Sequence, residues 1–314
     1  LWPLKVLSVQ KEMGTQYPEI ERRFSRAQSV LRIGLGESEL GAAGNVDFGR
    51  PMRFFINIEE EYRFLFLELL YRHLIGVAVL DHEGNVKKIL DSSAFKVNGF
   101  EDNERIFPRD SRQELGLTLL HDYFAFPEKF LFFELAGLDN LGPVSKDEDT
   151  IEFGSFALIL NEKLPETIPV NDQSIKLNCA PVINIFKKTS EPIPLTSKEY
   201  RHRLSLDREQ HDAYEIFRVD KVFSINSKGE QQELAPYFSP VVGQQTDDKY
   251  CWLSQFEESY HRKKQGNEVW ISLFNSDYER DTLGKETIFA ETLCCNNSLC
   301  ESLPPGQEFS LIGS

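Results

Sequence analysis

Apolar positions crowd most densely between Tyr123 and Leu135, where five of the 24 Phe residues fall between Phe124 and Phe133. Each Phe or Tyr removes a large apolar area from water when covered, so this density marks the centre of a core or an interface. Leu115, Leu119 and Tyr123 recur at intervals of four and predict one buried face of a helix leading into the segment. Ser111 with Glu114 has the spacing of a capping box that starts this helix. Pro127 disfavours helical geometry at Phe126, so the helix ends there. Phe130 to Leu135 then reads as a strand covered on both faces, suited to antiparallel pairing with the apolar run Phe153 to Leu160.

The same patterns organise the rest of the chain. Lys5 to Val9 and Ala27 to Leu35 read as strands separated by a polar loop, Gln10 to Ser25. Met52 to Asn57 is extended, and Asn57 with Glu60 predicts the cap of a helix running to Ile75. Only Glu61, Glu68 and Arg72 interrupt the apolar surface of that helix, which predicts burial over most of its circumference. Val77 to Leu80 and Val86 to Leu90 flank a turn containing Gly84 and predict a β-hairpin. Ser145 to Thr150 reads as an acidic loop, and Lys187 to Thr196 as a linker. Beyond it, Tyr200 to Leu206, Tyr214 to Ile225, Tyr250 to Phe256, Glu268 to Phe274 and Thr287 to Cys294 alternate as strands between polar turns. The expected fold is therefore α+β and β-rich. Residues 1–190 form a mixed portion with two buried helices and the aromatic hub. Residues 191–314 form a β-sandwich or barrel-like portion cut short at its C-terminus.

Composition narrows the function classes. A hydrophobic content of 40% with 12% aromatics describes a folded chain. A net charge of −15 disfavours nucleic acid and anionic membrane surfaces, which require a basic face. No run approaches the length needed to span a bilayer, and the start lacks a signal-peptide pattern. The chain begins on Leu1 and ends in the apolar run Phe309 to Ile312, as though both ends were cuts through a longer protein. Cys179, Cys251, Cys294, Cys295 and Cys300 form no C-x-x-C pair and are expected to be reduced and mostly buried, without bound metal. Asn296-Asn297-Ser298 matches a glycosylation sequon, a short pattern frequent by chance.

Catalytic constellations are sparse. Gly34-Leu35-Gly36 and Gly41-Ala42-Ala43-Gly44 lack the spacing of a nucleotide loop. There is no G-x-S-x-G elbow and no H-E-x-x-H pair. His121, Asp122 and Glu128 are the candidates for a hydrolase, but adjacent helical residues point about 100° apart, so His121 and Asp122 do not pair with each other. His202 and His211, with Arg201, Arg203 and Arg208, read as a local basic patch. Glu128 and Lys129, two charges between aromatic runs, require solvent or partners because an unpaired buried charge is costly. The candidate interaction or core hub is Phe124, Phe126, Pro127, Glu128, Lys129, Phe130, Phe132 and Phe133. A hydrolase or a carbohydrate-binding β-rich module are the competing classes.

Tyr123 to Leu138 (Tyr-Phe-Ala-Phe-Pro-Glu-Lys-Phe-Leu-Phe-Phe-Glu-Leu-Ala-Gly-Leu) resembles the hallmark segment of the TssF family of type VI secretion system baseplate subunits. Further similar segments follow in order. They are Met52 to Phe55 leading into the Glu59–Ile75 helix, Phe95 to Phe100, Asn178 to Phe186 followed by Glu191-Pro192-Ile193, Tyr214-Glu215-Ile216, and Leu293 to Leu303. In the last, Cys295-Asn296-Asn297-Ser298 stands where the family usually has a Cys-Thr-Asn-Arg-like run. The resemblance covers essentially all 314 residues and implies the middle of a longer protein with a fold like phage baseplate wedge proteins. It implies a structural role: two TssF copies with one TssG, joined by TssK and TssE around a VgrG spike, supporting assembly of the sheath proteins. It implies a cytoplasmic baseplate docked at the inner membrane, with no catalytic activity, cofactor or metal, no nucleic-acid partner and no direct membrane span. No family motif assigns binding roles to individual residues here.

Overall fold

A computed structural model describes residues 1–38, 47–81, 83–108, 115–139, 141, 143–147, 150–195, 199–210, 213–238, 250–259, 266–275, 286–297 and 304. The Ser111–Glu114 capping box, the Gly41–Gly44 turn, His82, His211, His261, Cys300 and the sequon's Ser298 lie outside the described residues. The chain divides into two compact units, Leu1–Ile183 and Asn184–Ser314. It is strand-rich, as the α+β reading expects.

The first unit holds two antiparallel sheets. One has the order β1 (Leu4–Met13), β2 (Ser29–Glu37), β9 (Thr150–Leu160), β4 (Leu74–Leu80), β5 (Val86–Asp91), with β8 (Pro143–Asp147) also pairing with β9. The central strands β4 and β9 carry unbroken apolar runs because both faces of this sheet are covered. On one face Leu31, Ile33, Val77, Val79, Phe156 and Leu158 meet the main core. On the other, Val30, Ala78, Leu80, Ala157 and Ile159 pack under Tyr17 and Ile20.

Ile20 belongs to a short helix, α1 (Pro18–Arg23), where the polar pattern predicts a loop. Pro18 opens it, Glu19 and Glu21 occupy its first turn, and Arg22 and Arg23 its last, an arrangement matched to the helix dipole. Its apolar positions are too few to reveal a period. Strand β1 likewise runs on to Met13, past the predicted end at Val9.

The second sheet of this unit has the order β10 (Ile175–Lys176), β3 (Met52–Ile56), β7 (Phe132–Leu135), β6 (Phe95–Val97). The predicted pairing of Phe130–Leu135 with Phe153–Leu160 does not occur. Strand β7 is bonded to β3 and β6, while β9 lies in the other sheet. Their aromatic residues meet through Phe54, whose ring lies 5.3 Å from Phe133 and 5.2 Å from Phe156. Phe133 also stacks on Phe95 at 5.1 Å. Two apolar runs that seek each other have met across sheets instead of along a ladder. Of the predicted loop Ser145–Thr150, Ser145, Lys146, Asp147 and Thr150 take part in the β8–β9 pairing, and residues 148–149 lie outside the described residues.

Helix α2 (Glu60–His73) starts and ends close to its predicted bounds, with Glu60 and Glu61 in its first turn. Asn57 does not cap it; its side-chain amide donates to the Gln173 carbonyl. Nor is the helix buried over most of its circumference. Phe66, Leu67 and Leu70 face the core, whereas Leu65 and Tyr71 are exposed. The β4–β5 hairpin forms as predicted: Gly84 takes a φ of +86°, and Asp81 accepts the amides of Glu83 and Asn85.

The second unit is one eight-stranded sheet. Its order is β11 (Phe186–Thr189), β18 (Thr287–Cys295), β14 (Glu215–Ile225), β15 (Gln231–Pro236), β16 (Tyr250–Glu258), β17 (Asn267–Asn275), β13 (Arg201–Arg203), with β12 (Ile193–Pro194) also on β18. The sheet curls so that Val222, Ile288 and Ala290 share one core with Trp252, Val269 and Ile271. The predicted linker Lys187–Thr196 instead supplies strands to β18, because Phe186 and Ile193 pack on that core. The local basic patch is absent from β13: His202 turns inward, and Arg201 and Arg203 pair with Glu257 and Glu268. Burial pushes the His202 imidazole below its usual pKa, with Glu199 partly offsetting this.

Free thiols are found at Cys179, Cys251, Cys294 and Cys295, and of these only Cys294 is fully buried, its pKa pushed up to about 11 by burial and then by Cys295. The expectation of mostly buried thiols therefore fails: three of them sit at half-covered strand or loop positions.

Phe133 packs between Phe54 and Phe95 of its own sheet, Phe54 in turn reaching Phe156 of the other, and it is fully buried. Phe133→Ala is expected to cost about 3–5 kcal/mol in chemical denaturation, through lost transfer energy and an unfilled cavity.

Candidate assembly interface

Helix α3 (Leu115–Ala125) departs from its predicted facing. The sequence predicts Leu115, Leu119 and Tyr123 on the buried side. The residues turned inward are Thr118 and Asp122, four apart, while Tyr123 is 45% exposed. Leu117, Leu120 and Phe124 share the outer face, at 62%, 56% and 80% exposure. The cause lies seven residues after Asp122. The last helical amide, that of Phe126, donates to the Asp122 carbonyl, and Pro127 then opens a 3-10 turn, Pro127–Phe130. That turn drives Lys129 beneath the helix, and its ammonium pairs with Asp122, both side chains being essentially inaccessible. A buried ammonium requires an anion, so the inward face of the helix is polar and its apolar residues are left outside.

The pair is tied into its surroundings. Lys129 Nζ also donates to the Glu104 carbonyl at 3.3 Å, and the Ile106 amide reaches Asp122 at 3.4 Å. Glu104 accepts the amides of Gly99 at 2.7 Å and Glu101 at 3.1 Å, and the side-chain amide of Asn98 at 3.0 Å. Burial alone would raise its pKa, but these donors together with Arg53 outweigh burial and hold the carboxyl below its usual range. Gly99 has a φ of +99°, and a Cβ there would stand 2.8 Å from the Lys129 carbonyl, so only glycine fits.

The hub predicted from sequence therefore divides. Lys129, Phe130, Phe132 and Phe133 are buried; Phe126, Pro127 and Glu128 are half-buried; Phe124 stands out in solvent. Glu128 pairs not with Lys129 but with Arg63 of α2, at 2.8 Å. The hydrolase candidates do not converge: His121 stacks on Phe107, Asp122 serves Lys129, and Glu128 serves Arg63. Among the described residues there is no cluster of three His, Cys, Asp or Glu side chains arranged to hold a metal ion. Among the same residues, no helix is long and apolar enough to cross a membrane.

The rings on this side form a connected chain in which Phe124, Tyr123 and Phe100 are exposed, Phe64 is half-buried and Phe130 is buried. Phe124 lies 5.6 Å from Tyr123, Tyr123 lies 6.0 Å from Phe64 of α2 and 6.1 Å from Phe130, and Phe130 lies 5.0 Å from Phe100. Phe64 and Phe100 in turn line an apolar groove of about 610 Å³ with Leu67, Tyr71, Phe95 and Val97. Connected apolar exposure of this kind marks a surface made for contact with another molecule. On the other side of β6 lies a polar recess of about 580 Å³, lined among others by Arg53, Lys96, Asn98, Glu104, Arg105 and Glu134. Arg105 is only 7% exposed and pairs with Asp102 through Nη2, yet its Nε and Nη1 have no partner, nor does Asn98 Oδ1. Glu104, Arg105 and the Asp122–Lys129 pairing escaped the sequence reading. The one available signal was an acid and a base seven apart across Pro127.

Removing one member of the buried pair strands the other. Lys129→Met is expected to cost about 3–5 kcal/mol in denaturant unfolding, and adding Asp122→Leu to recover much of that loss. A second expectation concerns pH. A carboxyl whose folded-state pKa is depressed stabilises above its unfolded pKa and loses that contribution as pH falls through the folded value. Wild type should thus melt above Glu104→Gln at neutral pH, the gap closing as pH falls from the ordinary carboxylate range through Glu104's lowered pKa.

The comparisons with known proteins agree with one another. The profile of the family described as "Type VI secretion system, TssF" matches residues 1–313. The chain is 24% identical over 246 residues to the type VI secretion system component TssF1 of Pseudomonas aeruginosa, an alignment covering 76% of this chain and 38% of that protein. It is similar in fold, with a TM-score of 0.69 and 23% identity, to a chain of a type VI secretion system TssK-TssF-TssG baseplate subcomplex solved by cryo-electron microscopy. That likeness covers 97% of this chain and 52% of the solved one. The chain thus spans well under two thirds of either relative's length. With a family profile matched from the first residue to the last but one, and a fold to go with it, this chain belongs to the TssF family of the type VI secretion system.

Proposed function

We propose that this chain is part of a structural subunit of a type VI secretion baseplate, whose work is to join other polypeptides. The observation that carries the reading is the family match over residues 1–313. The connected exposed surface of Leu117, Leu120, Tyr123, Phe124 and Phe100 adds physical support, because such a surface is costly to leave in water. The neighbouring proteins on this reading are TssG and TssK, named with TssF in the solved subcomplex, and a second copy of TssF, which follows from the family's role. TssE, the VgrG spike and the sheath proteins follow from the family's role. So do a ratio of two TssF to one TssG and a cytoplasmic baseplate docked at the inner-membrane complex. No bond-breaking chemistry is assigned, since the His, Asp and Glu candidates serve separate structural partners.

Co-expression of the full-length protein with TssG and TssK, followed by native mass spectrometry, tests the reading. The expected species contains two copies of this protein per TssG. Leu117→Asp with Phe124→Asp, both on the outer face of α3, should weaken capture without lowering the melting temperature. A monodisperse monomer with no affinity for TssG or TssK would overturn the proposal.

A further inference from the structure

We infer that the free edge of β6 is a docking strand, which takes up an extended segment of a baseplate partner whose apolar residues alternate with acidic ones. The inference rests on the assembly role proposed above and adds the kind of contact and the chemistry of the segment. Among the described residues, strand β6 lies at the end of its sheet and pairs only with β7. Its register is Phe95 with Leu135, Lys96 with Glu134 and Val97 with Phe133. The Asn98 amide donates to the Phe132 carbonyl, and the Ala136 amide to the Ala94 carbonyl. Alternation along an antiparallel ladder therefore spends the Lys96 backbone groups on Glu134 and turns those of Phe95 and Val97 to the free edge. The Phe95 amide is engaged by the Ser92 carbonyl. This leaves the Phe95 carbonyl and both backbone groups of Val97 to receive an added strand.

What flanks that edge selects the occupant. Side chains of an added strand alternate between its two faces. One set meets the apolar groove of Phe64, Leu67, Tyr71, Phe95, Val97 and Phe100. The other meets the polar recess, and Lys96 lines both. In the recess Arg53 is already engaged by Glu134 and Glu104, Lys96 by Glu101, and Lys129 by Asp122. Arg105 retains two guanidinium nitrogens without acceptors, in a side chain more than nine-tenths buried. An acidic side chain supplies those acceptors, and a basic one would leave the Arg105 nitrogens unfilled. Backbone pairing supplies affinity in such strand additions, and the alternating pockets supply specificity. A second copy docking by a globular face, or a lipid surface, would use neither the Val97 amide nor Arg105.

The probe is a fluorescein-labelled synthetic peptide of alternating valine and glutamate, with a valine–lysine peptide as control, titrated by fluorescence polarisation against the full-length protein. The valine–glutamate peptide is expected to bind saturably, to slow hydrogen exchange at the Val97 amide, and to bind the protein at least about tenfold more tightly than the control. Val97→Pro, which removes an amide the fold does not use, and Tyr71→Asp, at a side chain 70% exposed, should each weaken it by a similar factor. Arg105→Gln should erase the preference for glutamate over lysine. Absence of saturable binding, or binding indifferent to both Val97→Pro and Tyr71→Asp, overturns the inference. Whether the same preparation captures TssG is read separately: capture without peptide binding sinks the docking strand alone, and peptide binding without capture sinks the assembly role.

Discussion

An ammonium ion buried beneath a helix, answered by one carboxylate, is the constraint that shapes the first unit around it. Lys129 has no access to water, so its charge must be neutralised where it stands, and Asp122 supplies the counter-charge from seven residues earlier in the chain. That demand fixes the rotation of α3. It also draws in the segment from Asn98 to Ile106, whose backbone lends the Glu104 carbonyl and the Ile106 amide to the pair. These two backbone dipoles help to offset the cost of burying the charges.

The rotation has a consequence at the surface. A helix with Thr118 and Asp122 inward must turn Leu117, Leu120 and Phe124 outward. This is apolar area the fold has declined to cover. It is continuous through Tyr123, Phe64 and Phe130 with the groove beside β6, so charge burial and surface exposure are two sides of one arrangement. The second unit handles charge differently. There, Arg201 and Arg203 remain exposed on strand β13 and pair with Glu257 and Glu268 of neighbouring strands, a cheaper solution in high dielectric.

On the proposed assembly role, this surface is the candidate contact face. A subunit that joins others needs a rigid body and an uncovered apolar face, and both come from the Phe124–Phe133 segment. Phe130, Phe132 and Phe133 are spent inside, and Phe124 outside.

Much of the local structure was legible in the sequence. The hairpin around Gly84, helix α2, and the five strands from Tyr200 to Cys294 follow from periodicity and turn residues, because these depend on neighbours a few positions apart. The concentration of Phe around Pro127 and the resemblance carried by Tyr123–Leu138 also needed nothing else. Tertiary structure alone decided the rest. It linked Phe133 to Phe156 through Phe54 across two sheets instead of in one ladder, and it enlisted residues of Lys187–Thr196 as strands. It covered one turn of helix at Ile20 and turned the polar side of α3 inward. Periodicity records which side chains seek burial but not what they are buried against. An isolated acid seven residues before a lysine does not announce that both will be sealed from water, since that is settled only when distant loops close over them.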